Sequence, residues 1–246
     1  AVVALSTLFF ALFGIENWKI LACLWAIVPL VNVFNFAVVP INKVVEDGRS
    51  MTIRELAGSG IFWLLALLMV CAGASEQAMS QWASAYTESA LRVSKTVGDL
   101  AGPCLFAVLM GGARMFYAKC SEKVDLRRFM VFSGALCIAC YLMASLSDSP
   151  LLGLLGCGLC GLSVGILWPG TFSVATVRCP RGGTAMFALL ALAGDAGCSL
   201  GPTLVNAVSG LAGGDLKAGM LAAVVFPLLL IAGLTALRRS KGGAAQ

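Results

Sequence analysis

Ile61 to Val70 is ten apolar residues in a row, and the chain then turns polar without a turn signal. At about 100° per residue, Glu76, Gln77, Ser80, Gln81, Ser84, Thr87 and Glu88 fall on one stripe. Ala78, Met79, Trp82, Ala85 and Tyr86 fall on the other side. The spacing predicts one helix that runs on past residue 80 and shows a wet face. A carboxylate on a membrane-spanning helix costs ~2.5–3.5 kcal/mol or more on insertion scales, so Glu76 needs a partner or a water-filled cavity. The rest of the chain has to build that cavity.

Composition supports a membrane setting for this stretch. Of 246 residues 59% are hydrophobic and 12% charged, against about 25% charged in soluble domains. The expected fold is all-α, a polytopic transmembrane helix bundle. Eight apolar segments can be drawn, over 1–14, 20–39, 58–88, 96–117, 129–146, 151–174, 184–210 and 218–237. The first would span only ~20 Å as a helix, short of the ~30 Å hydrocarbon core. No initiator Met or signal peptide precedes it, so the expectation is a chain that starts partway through a helix. The segments group as two helices over 1–39, a linker over 40–57, six helices over 58–239 and a tail over 240–246.

The connections are short enough for the positive-inside rule. Thirteen of the 17 basic residues lie in or beside the 40–57, 118–128 and 175–183 loops and the C-terminus, if Arg114 and Lys119 are counted with the loop they border. Lys19, Arg92, Lys95 and Lys217 lie on the opposite side. The basic side is therefore expected in the cytoplasm, with the chain multi-pass in the cell membrane. Dispersed in this way, the net charge of +5 forms no nucleic-acid patch. The absence of histidine removes Ser-His and Cys-His catalysis and histidine-ligated metals. Most of the ten cysteines sit in apolar runs, where the thiol acts as a small hydrophobe. The Cys137/Cys140 and Cys157/Cys160 pairs share a depth on consecutive segments, but apolar surroundings disfavour thiolates. No metal and no cofactor are expected.

Several polar residues have structural readings. Thr52-Ile53-Arg54-Glu55 and Thr96-Val97-Gly98-Asp99 are capping boxes, so Asp99 either caps its helix or faces the cavity. Glu88 and Arg92, at i and i+4, form an exposed ion pair. Gly153, Cys157, Gly161 and Gly165 make a small-residue stripe for close helix packing, and Trp168-Pro169-Gly170 then breaks that helix near its cytoplasmic end. In the seventh segment Asp195, Ser199, Thr203 and Asn206 share one face, while Gly194, Gly197 and Gly201 take the opposite one. Asp195 is either functional or a hydrogen-bonded interhelical acid. Asn32 and Asn35 are either interhelical glue or solute contacts. Intramembrane acids occur only in the third, fourth and seventh segments, which predicts inner helices lining a pathway and outer helices facing lipid.

Three stretches resemble the major facilitator superfamily, covering the equivalent of its helices five to twelve. Ala118 to Arg128 looks like a degenerate copy of its cytoplasmic acidic–basic loop motif. Glu122, Lys123, Arg127 and Arg128 match the motif's charges, with Arg114 at its border, while Ala118 and Asp125 replace glycines. Gly161 to Pro169 resembles the tenth helix. Gly73-Ala74-Ser75-Glu76 with Trp82 resembles the seventh helix of the fucose-permease-like sugar symporters, although the stripe turns Trp82 away from the cavity, where it would serve as an interface anchor. The resemblance implies two six-helix bundles alternating around a midplane site, with helices six, nine and twelve outside the cavity. It puts the symporters' proton-coupling acids in the first four helices, upstream of this stretch.

The leading reading is a secondary transporter of a small polar solute such as a sugar, and not an enzyme. Glu76, Gln77, Ser80, Gln81, Asp195, Ser199 and Asn206 would be the solute or ion contacts, since carboxylates and carboxamides suit hydroxyl-rich ligands. A proton or cation would be the co-transported partner, the lipid bilayer the surroundings, and a full-length monomer the working unit. The alternatives are proton-driven efflux of amphipathic compounds and a non-transporting membrane scaffold.

Overall fold

The computed structural model describes residues 2–40, 50–91, 100–120 and 124–239, and all regular structure among them is helical. In chain order the helices are α1 Val2–Phe13, α2 Trp18–Val38, α3 Ile53–Ala57, α4 Gly60–Ser80, α5 Ala83–Leu91 and α6 Leu105–Cys120. They continue with α7 Leu126–Leu146, α8 Pro150–Val164, α9 Leu167–Arg178, α10 Gly183–Leu211, α11 Leu216–Ala223 and α12 Val225–Arg239. Six stretches of the described residues are long and apolar enough to cross a membrane: 15–38, 60–86, 126–146, 151–178, 183–211 and 216–237. The fold class expected from the sequence is the one observed.

Three boundaries differ from expectation. The Thr52 capping box forms, with the Thr52 N–H donating to Glu55 Oε2 at 2.6 Å. It starts the short α3, however, and α4 begins separately at Gly60. The helix through Glu76 is interrupted at Gln81–Trp82 before α5 resumes. The break in the sixth segment falls at Gly165–Ile166, about midway along the 151–178 span, earlier than Trp168-Pro169-Gly170 and not near one end. Pro169 sits in the first turn of α9, where a missing N–H is tolerated. A π turn over Leu100–Cys104, which contains Pro103, precedes α6. The Thr96–Asp99 box, Arg92, Glu122 and Lys123 lie outside the described residues.

Glycine determines how closely the helices meet. A Cβ on Gly197 would strike the Val70 carbonyl oxygen, and one on Gly201 the Ala74 carbonyl, so the glycine face of α10 lies directly on the α4 backbone. On the other flank Gly161 lies on the Phe106 carbonyl, and a Cβ on Gly165 would come within 2.9 Å of Met110 O, which packs α8 on α6. Gly156 does the same for α8 on α7, with Cys140 O at 2.8 Å from its Cβ position. Both glycine stripes pack as their spacing indicated.

Buried phenols tie the remaining helices in. Tyr141 OH donates to Ser75 O at 2.9 Å and Tyr86 OH to Ala144 O at 2.7 Å. At the basic end Arg127 Nε donates to Leu234 O at 3.3 Å and Arg178 to Leu237 O, so two arginines satisfy carbonyls in the last turns of α12. Asp125 caps α7 through the Arg128 N–H, and that bond together with the nearby guanidinium holds its carboxyl below the usual range. At the other end Lys217 Nζ donates to Ser147 O at 2.7 Å and to Asp148 at 3.2 Å. Helix α2 is exposed along most of its length, with Asn32 and Asn35 among the exposed residues.

Candidate functional site

A cavity of about 480 Å³ opens between α4, α6, α9 and α10, lined by Glu76, Gln77, Arg114, Trp168, Pro169, Phe172 and Cys198. No lining residue comes from α7, α11 or α12, which agrees with the charge-free segments being the outer ones.

Glu76 stands on α4 one turn beyond Ala72–Gly73, where the helix backbone is fully buried against α10. Its side chain is 16% exposed, and Arg114 Nη2 lies 3.7 Å from its Oε2. That distance is too long for a hydrogen bond, and Oε2 is buried without one. The carboxylate is thus balanced electrostatically but left with an unused acceptor. A buried acceptor in that state is costly, and a donor brought into the cavity would relieve the cost.

Arg114 is held by the backbone break opposite it. In a continuous helix the N–H of residue 169 would bond to the carbonyl of residue 165, and proline has no N–H. Gly165 O is left to another donor, and Arg114 Nε supplies it at 3.1 Å. One guanidinium therefore satisfies the orphaned carbonyl and faces Glu76. The sequence reading grouped Arg114 with the cytoplasmic loop it borders. It lies inside α6, within the apolar segment drawn over 96–117, and two groups on other helices use its charge and donors.

The other sequence candidates divide. Gln77 lines the cavity and accepts from Ser80 Oγ at 3.1 Å. Ser80 and Gln81 lie further along and do not line it. Asp195, Ser199, Thr203 and Asn206 share an exposed face of α10, as their spacing indicates, but none of them lines this cavity. Asp195 stands one turn before Cys198, which does line the cavity. Trp82 stays out of the cavity and packs against the buried core.

Trp168, Phe172 and Cys198 were not anticipated. Gly194 admits the Trp168 ring, since a Cβ there would come within 2.7 Å of ring carbon Cζ2. The Trp168 and Phe172 rings lie with centroids 6.4 Å apart and their planes tilted by 58°. The missed signal was Arg114 itself, a cation within an apolar helix, which calls for an acid on a neighbouring helix. Cys137 Sγ and Cys160 Sγ lie 4.0 Å apart in the core, away from this cavity. Among the described residues no group of three or more acids or thiols is arranged to hold a metal.

Neither a curated protein nor a solved structure matches the chain. A family model described as Major Facilitator Superfamily matches residues 1–202, from α1 through most of α10. With its apolar spanning helices and a half-buried ion pair at a shared cavity, this membrane-embedded chain belongs to that superfamily of transporters.

Proposed function

We propose that the chain is part of a secondary transporter in the cell membrane that moves a small polar solute by alternating access. The observation that carries this reading is Glu76, a carboxylate facing a cation across a cavity with one buried oxygen unbonded. A hydroxyl-rich solute donates to that oxygen and accepts from the Arg114 guanidinium, and Gln77 offers both functions beside them. The likeness of Gly73–Glu76 to the seventh helix of fucose-permease-like symporters supports a sugar. Asp195 joins the site as a contact one turn away, with Ser199 and Asn206 on the same face. The coupled ion is a proton or cation, and the working unit is a monomer.

One observation favours a second reading. Trp168, Pro169 and Phe172 form an apolar wall opposite the charged corner, which suits an amphipathic compound and hence efflux. Proteoliposomes holding the full-length protein discriminate between the two. Uptake of labelled monosaccharides, reduced at least tenfold by Glu76→Gln, supports the first reading; an intact rate in that variant overturns the site. Export of an amphipathic dye with no sugar uptake selects the second, and the absence of both fluxes selects a scaffold.

A further inference from the structure

We propose that the groove between α7 and α12 at the basic end binds one anionic phospholipid. Arg127 and Arg128 would hold its headgroup phosphate, and Val131, Phe132 and Ala135 would line an acyl chain. The groove holds about 460 Å³ and is lined on the α12 side by Thr235. Arg128, Val131, Phe132 and Ala135 stand at i, i+3, i+4 and i+7, so they form one stripe of a helix about 10 Å long from charge to apolar end. Phe132 is 64% exposed on a membrane-spanning helix, so its face meets lipid.

The charge balance selects an anion. Asp125 also lines the groove, but one of its oxygens accepts the Arg128 N–H and the other lies 3.7 Å from Arg128 Nε. Among the described residues that line the groove, two arginines stand against that single acid. Arg127 is held in place by its bond to Leu234 O, which uses one of five N–H donors. The Arg128 side chain is 90% exposed and meets Asp125 through Nε, so its Nη groups can reach a phosphate. A soluble phosphate would use the arginines but not the apolar strip below them. A phospholipid uses both, at the depth where headgroup gives way to chain. The proposal rests on the membrane setting alone, and stands or falls separately from the transport reading.

Native mass spectrometry of the full-length protein in detergent tests it, with phosphatidylglycerol, phosphatidylcholine, glycerol 1-phosphate and inorganic phosphate as probes. One phosphatidylglycerol should be retained over phosphatidylcholine, and Arg128→Gln should lower its affinity about fivefold, the effect of one arginine near an anionic headgroup. Phe132→Ser should weaken long-chain more than short-chain phosphatidylglycerol. Lys119→Gln, the same charge change at an exposed position of α6 outside the groove, should have less than a twofold effect. Equal losses in Lys119→Gln and Arg128→Gln mean diffuse attraction and overturn the site. Equal retention of both lipids, or displacement by inorganic phosphate as effective as by the lipid, overturns it as well.

Discussion

Glu76 and Asp195 begin alike, each an acid on the polar stripe of a spanning helix, yet the structure treats their surroundings differently. Glu76 is mostly enclosed and faces Arg114, which lies on a helix 38 residues further along the chain. Asp195 sits on an exposed face of α10 whose hydroxyls turn back on their own helix. Thr203 Oγ1 donates to Ser199 O at 2.7 Å and Ser199 Oγ to Asp195 O at 3.4 Å. Periodicity states which residues share a face; it does not state what the face meets. An acid becomes committed to a site when another helix brings a cation to it, and α6 does so for Glu76.

The largest effect that bears on this contrast comes from the glycines that set both regions. Gly197→Leu should prevent α10 from seating on α4, at a cost of ~1–3 kcal/mol or more. The readout is loss of monodisperse protein on size exclusion. Gly210→Leu, where a Cβ meets nothing within 4 Å, should express normally. Equal behaviour of the two variants would mean that the α4–α10 seam does not position either acid.

Uptake separates the acids themselves. Glu76→Gln should cost transport tenfold or more, since a charge-assisted hydrogen bond is worth ~1.5–3 kcal/mol. Asp195→Asn should cost about threefold or less, in keeping with its place outside the cavity lining. A reversed order would put the site on the α10 face.

Arg114→Gln isolates the partner. Stranding a buried charge costs ~3–5 kcal/mol, and with Arg114 46% exposed the expected loss is nearer ~1–2 kcal/mol. Thermal unfolding in detergent reads it, and adding Glu76→Gln should recover most of the loss. Additive losses in that double-mutant cycle would show that the pair is not coupled.

The smallest effect probes what aims Arg114. Pro169→Ala restores an N–H that competes with Arg114 Nε for Gly165 O. It exchanges a bond of ~0.5–1.5 kcal/mol, so uptake should fall about two- to tenfold while thermal stability holds or rises. Unchanged uptake would mean that Arg114 is oriented by Glu76 alone.

What could be read from the chain alone was whatever depends on local spacing. The apolar runs indicated spanning helices, and the four-residue glycine intervals indicated packing faces. The polar stripe after Val70 indicated a wet side on the helix that carries Glu76. Each is a property of one helix, determined by hydropathy and a fixed rotation per residue. The pairing of Glu76 with Arg114 is of another kind. So are the seating of the Trp168 ring against Gly194 and the use of Gly165 O as a guanidinium acceptor. Each needs two helices brought together at a particular height and rotation, and only the packed bundle decides that. In sequence Arg114 borders the basic loop motif, although the residues immediately on either side of it are uncharged. In the bundle it pairs, among the described residues, with Glu76 and donates to Gly165 O, because a mostly enclosed carboxylate and a carbonyl without its helical N–H are strong partners for a guanidinium.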